Sequence, residues 1–188
     1  MQGINYDTFI NLLRDLDKRL DGLAKIDIKA FGGFSILYYS KIFALQAREV
    51  TFDIDSATND WPLEVEEAIF DISEGHDNID YDWLNNSWLR QQDYQDELLE
   101  EVEWGKVGIG LKNITLYIAD IESLFKLKLR AISDKIHGGE KPRAKDLIDL
   151  TSILNVMDED LKNLSRPNLI KYAHKHPEAL EFLQNQKS

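Results

Sequence analysis

Two aspartates one residue apart, Asp53 and Asp55, stand in the run Thr51-Phe52-Asp53-Ile54-Asp55. Side chains alternate along a strand, so an extended run puts both carboxylates on one face, about 7 Å apart along the backbone. Carboxylates held that way suit a hard divalent cation such as Mg²⁺ or Mn²⁺, which takes oxygen ligands. Upstream, Gly32 and Gly33 directly follow the alternating apolar residues Ile26, Ile28 and Ala30. Glycine lets backbone amides approach a phosphate closely, and amides at a strand-to-helix turn are ready anion donors. A phosphate cradle beside a carboxylate pair is the equipment of nucleotidyl transfer.

Two further charged residues fall on apolar helix faces. In the stretch Ile121 to His137, Phe125, Leu129, Ile132 and Ile136 repeat at helical spacing and form the face to be buried. Lys128 lies about 60° from that stripe at 100° per residue, while Lys126 and Arg130 fall on the far side. By itself Lys128 reads as a lysine whose stem packs and whose ammonium stays wet. In the next helical stretch Asp146, Asp149, Leu150 and Ile153 share a side. An acid on an apolar face needs a partner, and it also suits a helix start through the dipole. Asp146 is therefore either an N-terminal helix acid or half of a bridge pinning two helices, with Lys128 as the candidate partner.

Other chemistries have less to stand on. The chain has no cysteine, which excludes disulfides, thiolate catalysis and cysteine-ligated zinc. His76, His137, His174 and His176 give one close pair, His-Lys-His, and no HExxH. The glycine pair is not followed by the Gly-Lys-Ser/Thr of a P-loop, and no nucleophile-elbow pattern occurs.

The elements that would carry these residues follow from periodicity. Tyr6 to Leu23 is helical, capped by Asp7 or Thr8 and stopped near Gly22; Ile26 to Phe31 is a strand. Ser35 to Leu45 is an apolar helix, Arg48 to Ile54 a second strand, and Pro62 to Ser73 a helix with proline in its first turn. Leu98 to Trp104 and Ile114 to Ile118 are further strands. From Asp120 onward everything reads helical, with Asp158 to Asp160, Pro167 and Pro177 at helix starts. The expected class is α+β: a small mixed-sheet lobe flanked by helices over residues 1 to 119, then a helical lobe over residues 120 to 188.

At 188 residues, with 43% hydrophobic and 30% charged residues, the chain can bury a real core. No apolar run approaches the roughly 20 residues that span a bilayer, and no signal-peptide pattern opens the sequence, so a cytoplasmic protein is expected. The net charge of −12 is concentrated: residues 53 to 103 hold 17 acids and one base, Arg90. That third would repel a polyanion, and reads either as a solvated surface or as a docking face for a basic partner.

Taken in order, Gly32-Gly33, Thr51 to Asp55, Leu127-Lys128-Leu129-Arg130-Ala131 and Lys145 to Leu150 resemble the DNA polymerase β-type nucleotidyltransferase superfamily. The likeness is to its minimal bacterial branch, that of AbiEii-type toxins and uncharacterised nucleotidyltransferase-like proteins. Asp82-Trp83-Leu84-Asn85 resembles a short element of the latter set. The resemblance runs from Phe31 to about Leu154. It implies a nucleotidyltransferase lobe in which Gly32, Gly33 and Ser35 bind an NTP and Asp53 and Asp55 hold Mg²⁺ or Mn²⁺. Lys128 would reach the phosphates, and Asp146 would orient Lys128 or act near the acceptor. The implied acceptor is a tRNA, a protein or a small molecule, with an antitoxin as partner if the role is toxin-like. The alternative is a catalytically weak or inactive relative that keeps the fold as a binding module and acts through a protein partner.

Three features depart from that pattern. Nineteen residues separate Gly33 from Asp53, a longer gap than usual, and Ser35 stands two residues past the usual serine position. The segment Ile114 to Ile118 offers no third carboxylate, which leaves Glu101 or Glu103 as the candidates.

Overall fold

The computed structural model describes residues 3–43, 49–58, 61–86 and 102–185. Helix α1 (Tyr6–Arg19) starts at Asn5, not at Asp7 or Thr8. Asn5 has extended backbone and its side chain accepts from the Thr8 amide at 2.9 Å, which satisfies a free donor of the first turn. Strand β1 (Ile26–Phe31) runs straight into helix α2 (Gly32–Phe43). Then come β2 (Ile54–Ser56), α3 (Leu63–Glu74) behind Pro62, and β3 (Leu84–Asn85). Strands β4 (Trp104–Val107) and β5 (Ile114–Ala119) complete the sheet. Helices α4 (Ile121–His137), α5 (Ala144–Met157), α6 (Pro167–Ala173) and α7 (Pro177–Asn185) follow. The fold is α+β, with a mixed five-stranded sheet and seven helices among the described residues.

The strand order is β3-β2-β1-β5-β4. β1 pairs parallel with β5 and antiparallel with β2, while β2–β3 is parallel and β4–β5 antiparallel. The parallel neighbours β1 and β5 are the long central strands, and Asp17 of α1 fixes the start of β5 by accepting from the Asn113 and Ile114 amides. One face of the sheet presents Ile26, Ile28, Ala30, Ile54, Leu116 and Ile118, all buried. They pack with Phe9, Leu12, Leu13 and Leu16 of α1, Phe34 and Leu37 of α2, and Val65, Ile69 and Ile72 of α3. Fully burying each such side chain is worth roughly 1.5–3 kcal/mol. A second cluster joins α4 to α7, and Ile36 of α2 and Ala119 of β5 tie it to the sheet. On α4, Phe125, Leu129 and Ile132 are its buried stripe, as the spacing predicts, with Ile136 half-buried.

Three elements differ from expectation. Arg48 to Ile54 is not one strand, and Arg48 lies outside the described residues. Thr51 bridges only to Ile4, Phe52 is exposed, and β2 proper begins at Ile54 because pairing with β1 begins beyond that break. Leu98 to Glu101 of another expected strand lie outside the described residues, and β4 begins at Trp104. Asp158 does not open a helix; it closes α5 in the left-handed conformation (φ 55°), which aspartate tolerates better than most residues. No described helix is long and apolar enough to cross a membrane.

Candidate functional site

The site is built where β1 turns into α2. Gly32 has φ +65°, a conformation that side chains other than glycine's rarely adopt. In the antiparallel pairing, Asp55 of β2 stands opposite Phe31, one residue before that turn. A Cβ placed on Gly32 would sit 2.7 Å from the Asp55 Oδ2. The missing side chain thus serves two ends: it permits the left-handed turn and leaves room for a carboxylate against the backbone. Gly33, the next residue, is buried at the start of α2.

Asp55 is half-buried at the residue level, and its acidity shows it. Burial, then the charge of Asp53, push its pKa from 3.8 up to about 6, against the opposing charges of Lys128, Lys145 and Arg143. Asp53 is also half-buried, but it precedes β2 and is not held by strand pairing. The next strand over adds a neighbour: Asn85 of β3 is in register with Asp55. That strand is anchored by Trp83, which is fully buried and donates its indole N–H to the Ile69 carbonyl at 3.3 Å. The Asp-Trp-Leu-Asn element is therefore a plug followed by two residues of sheet.

Lys128 is not a wet surface lysine. Its side chain is only 12% exposed, and its Nζ lies 3.0 Å from the Asp146 Oδ1 and 2.8 Å from the Asp149 Oδ2. Both carboxylates are 1% exposed. The wheel put the stem near the right face but did not show that two acids of α5 receive the ammonium. Arg143 closes the cluster, donating from Nε to the Asp146 Oδ2 at 2.6 Å and from a terminal nitrogen to Oδ1 at 3.2 Å. Burial works to raise the pKa of Asp146, but hydrogen bonds and charge from Arg143 and Lys128 together outweigh it and leave it lowered. Asp146 thus bonds Lys128, the partner the sequence offered, and bridges α4 to α5. With α5 packed on α2, this cluster sits close enough to Asp55 for its cations to act on that carboxylate.

Ser35 falls elsewhere. It is fully buried, and its hydroxyl donates to the Ala30 carbonyl at 2.9 Å, tying the first turn of α2 back to β1. With no exposed surface it does not reach a nucleotide; it shapes the turn that Gly32 occupies. The expected third carboxylate is also absent from this place. Glu101 lies outside the described residues, and Glu103 is exposed just before β4, at the far edge of the sheet. β4 is three strand spacings from β2, about 14 Å. Asp82 is nearer, since burial, Asp80 and also Asp53 raise its pKa. No three acids or histidines gather into a metal-sized group among the described residues.

Two carboxylates are what this place offers a hard dication. Asp53 and Asp55 are oxygen donors that repel each other, and Asp55 is desolvated; a bound dication would relieve both penalties. In the Lys128 cluster, Arg143 is the neighbour that the sequence did not single out. Asp149 carried a signal, because it shares the apolar side of α5 with Asp146, and Asn85 lay in the Asp-Trp-Leu-Asn element; Arg143 carried none, being placed by a helix start. No family model matches the chain, and comparison with curated proteins and with solved structures likewise finds no match.

Proposed function

We propose that the chain is a nucleotidyltransferase, transferring a nucleoside monophosphate from an NTP to an acceptor with Mg²⁺ or Mn²⁺. One observation carries the reading: the Asp55 carboxylate lies against the left-handed glycine at the head of α2, where a Cβ would otherwise stand. Amides at that turn would hold the polyphosphate, and Asp53 and Asp55 would hold the cation. When bound, it would supply positive charge beside the phosphoryl oxygens, which is most of what such a transfer needs besides positioning. Lys128, oriented by Asp146 and Asp149, and the more exposed Arg143 would face the leaving phosphates. The acceptor is a tRNA, a protein or a small molecule. A toxin-like role with an antitoxin partner belongs to this reading, as does the likeness to the polymerase β-type superfamily.

A second reading, a nucleotide-binding module without turnover, is favoured by β5. On the face that β5 shares with Asp55 it presents Thr115, Tyr117 and Ala119, none of them a carboxylate. Transfer of label from α-³²P-NTPs to cell extract, with Mg²⁺ or Mn²⁺, separates the two. Wild-type transfer that disappears in Asp53→Ala and Asp55→Ala supports the enzyme. Equal metal-dependent transfer in all three proteins removes the assignment, and nucleotide binding with no transfer supports the module.

A further inference from the structure

The second face of the sheet is mixed: Phe31, Ala119 and Trp104 pack with the second cluster, and polar side chains lie beside them. Cross-strand partners share a face, so the pairing places Asn85, Asp55 and Phe31 together at one end. Two residues back along β1 is Lys29, opposite Tyr117 of β5, which is itself opposite Lys106 of β4. Trp104, two residues before Lys106, is on that same face, and the Lys29 ammonium lies 5.9 Å from its ring centre. Lys29, Tyr117 and Trp104 are half-buried and Lys106 is exposed. An aromatic pair flanked by two lysines stands out on a chain with 34 acids against 22 bases. Trp104 packs with part of its surface against the second cluster, whereas Tyr117 belongs to neither cluster.

We infer that this end of the face is the subsite for the nucleoside half of the nucleotide, with the base against Tyr117 and Trp104. The inference rests on the polyphosphate reading of Gly32 and Asp55 and extends it. The two ends complement the two halves of the ligand. Asp53, Asp55 and the glycine turn take the metal and phosphates; the aromatic rings take the flat base. Lys29 and Lys106 supply donors for acceptor atoms on the base edge, for ribose oxygens or for the α-phosphate. The separation fits, since β2 and β4 are about 14 Å apart, on the order of an extended nucleotide. Stacking on aromatic residues tolerates any base, so the subsite explains a gain in affinity before it explains a choice among bases.

Titration calorimetry with Mg²⁺ tests this, using inorganic triphosphate and each of the four common NTPs as probes. The wild type is expected to bind at least one NTP more tightly than triphosphate. Trp104→Ala should weaken that NTP by about 5- to 150-fold, the range for loss of one base–aromatic stack, and leave triphosphate within twofold. Lys29→Met should weaken the NTP in the same selective way, and Trp104→Phe, which keeps an aromatic packed against the neighbouring helices, should hold most of the affinity. Equal loss of both ligands in Trp104→Ala, or no loss of either, overturns the subsite while leaving the phosphate site standing. If neither triphosphate nor any NTP binds with Mg²⁺, the underlying reading fails and the subsite with it.

Discussion

Replacing Gly32 with alanine isolates the contact on which the site depends. The substitution has two separable effects. The first is backbone strain: a residue with a Cβ at φ +65° costs roughly 1–2 kcal/mol. The second is displacement, because the new Cβ would stand 2.7 Å from the Asp55 Oδ2, closer than real Cβ atoms approach anything. Asp55 must move, and strand pairing at Phe31 leaves its backbone little freedom to follow. Gly110 supplies the control. It has φ +74°, and a Cβ there meets nothing within 4 Å, so Gly110→Ala carries the strain alone. Both variants should melt lower by about 2–8 °C, taking 2–4 °C per kcal/mol for a chain of this size. Only Gly32→Ala should lose the rise in melting temperature produced by Mg²⁺ with an NTP, by about tenfold or more in apparent affinity if the carboxylate is fully misplaced. Differential scanning fluorimetry over a range of Mg²⁺-NTP concentrations reads both effects. A Gly32→Ala protein that responds to Mg²⁺-NTP as fully as Gly110→Ala would refute the reasoning, whatever its melting temperature.

Asp55→Asn should stabilise the metal-free protein above pH 6. The folded pKa is raised from 3.8 to about 6, so ionised Asp55 costs stability that sets in as pH rises through that window and is complete above it. Two pKa units correspond to about 3 kcal/mol at most; melting curves from pH 4 to 7.5 without divalent ions check it, and parallel curves for the two proteins would contradict it. Lys128→Ala leaves Asp146 and Asp149 buried without their shared cation, and should cost about 3–5 kcal/mol in urea unfolding; a loss under about 1 kcal/mol would mean that Arg143 suffices. Acid should loosen α7. His176, 3.0 Å from the Ser133 hydroxyl, has a pKa lowered first by burial, opposed by Glu178 and Asp134 and assisted by Arg130 and His137. Its contribution is present above pH 6.5 and is lost as pH falls below that value. Amide exchange in α7 should therefore quicken from pH 7 to 5.5 in wild type, after correction for intrinsic rates, and less so in His176→Gln.

The sequence determined which residues are candidates for chemistry, because that depends on type and local spacing. The glycine pair after an alternating run, the paired aspartates, and an acid and a lysine on apolar helix faces are all visible one window at a time. The class of fold was legible for the same reason: the periods of α1, β1, α3 and α4 are strong over six or more residues. Tertiary structure alone decided the rest. That Asp55 and not Asp53 meets the glycine turn follows from the Phe31–Asp55 register, a pairing between residues 24 positions apart. That Lys128 is clamped and not wet follows from the docking of α5 on α4. Ser35 reads as a ligand residue by position, yet the helix that starts at Gly32 turns its hydroxyl inward to Ala30. Spacing fixes what a segment offers; register and docking, which depend on burial of the whole core, fix what it faces.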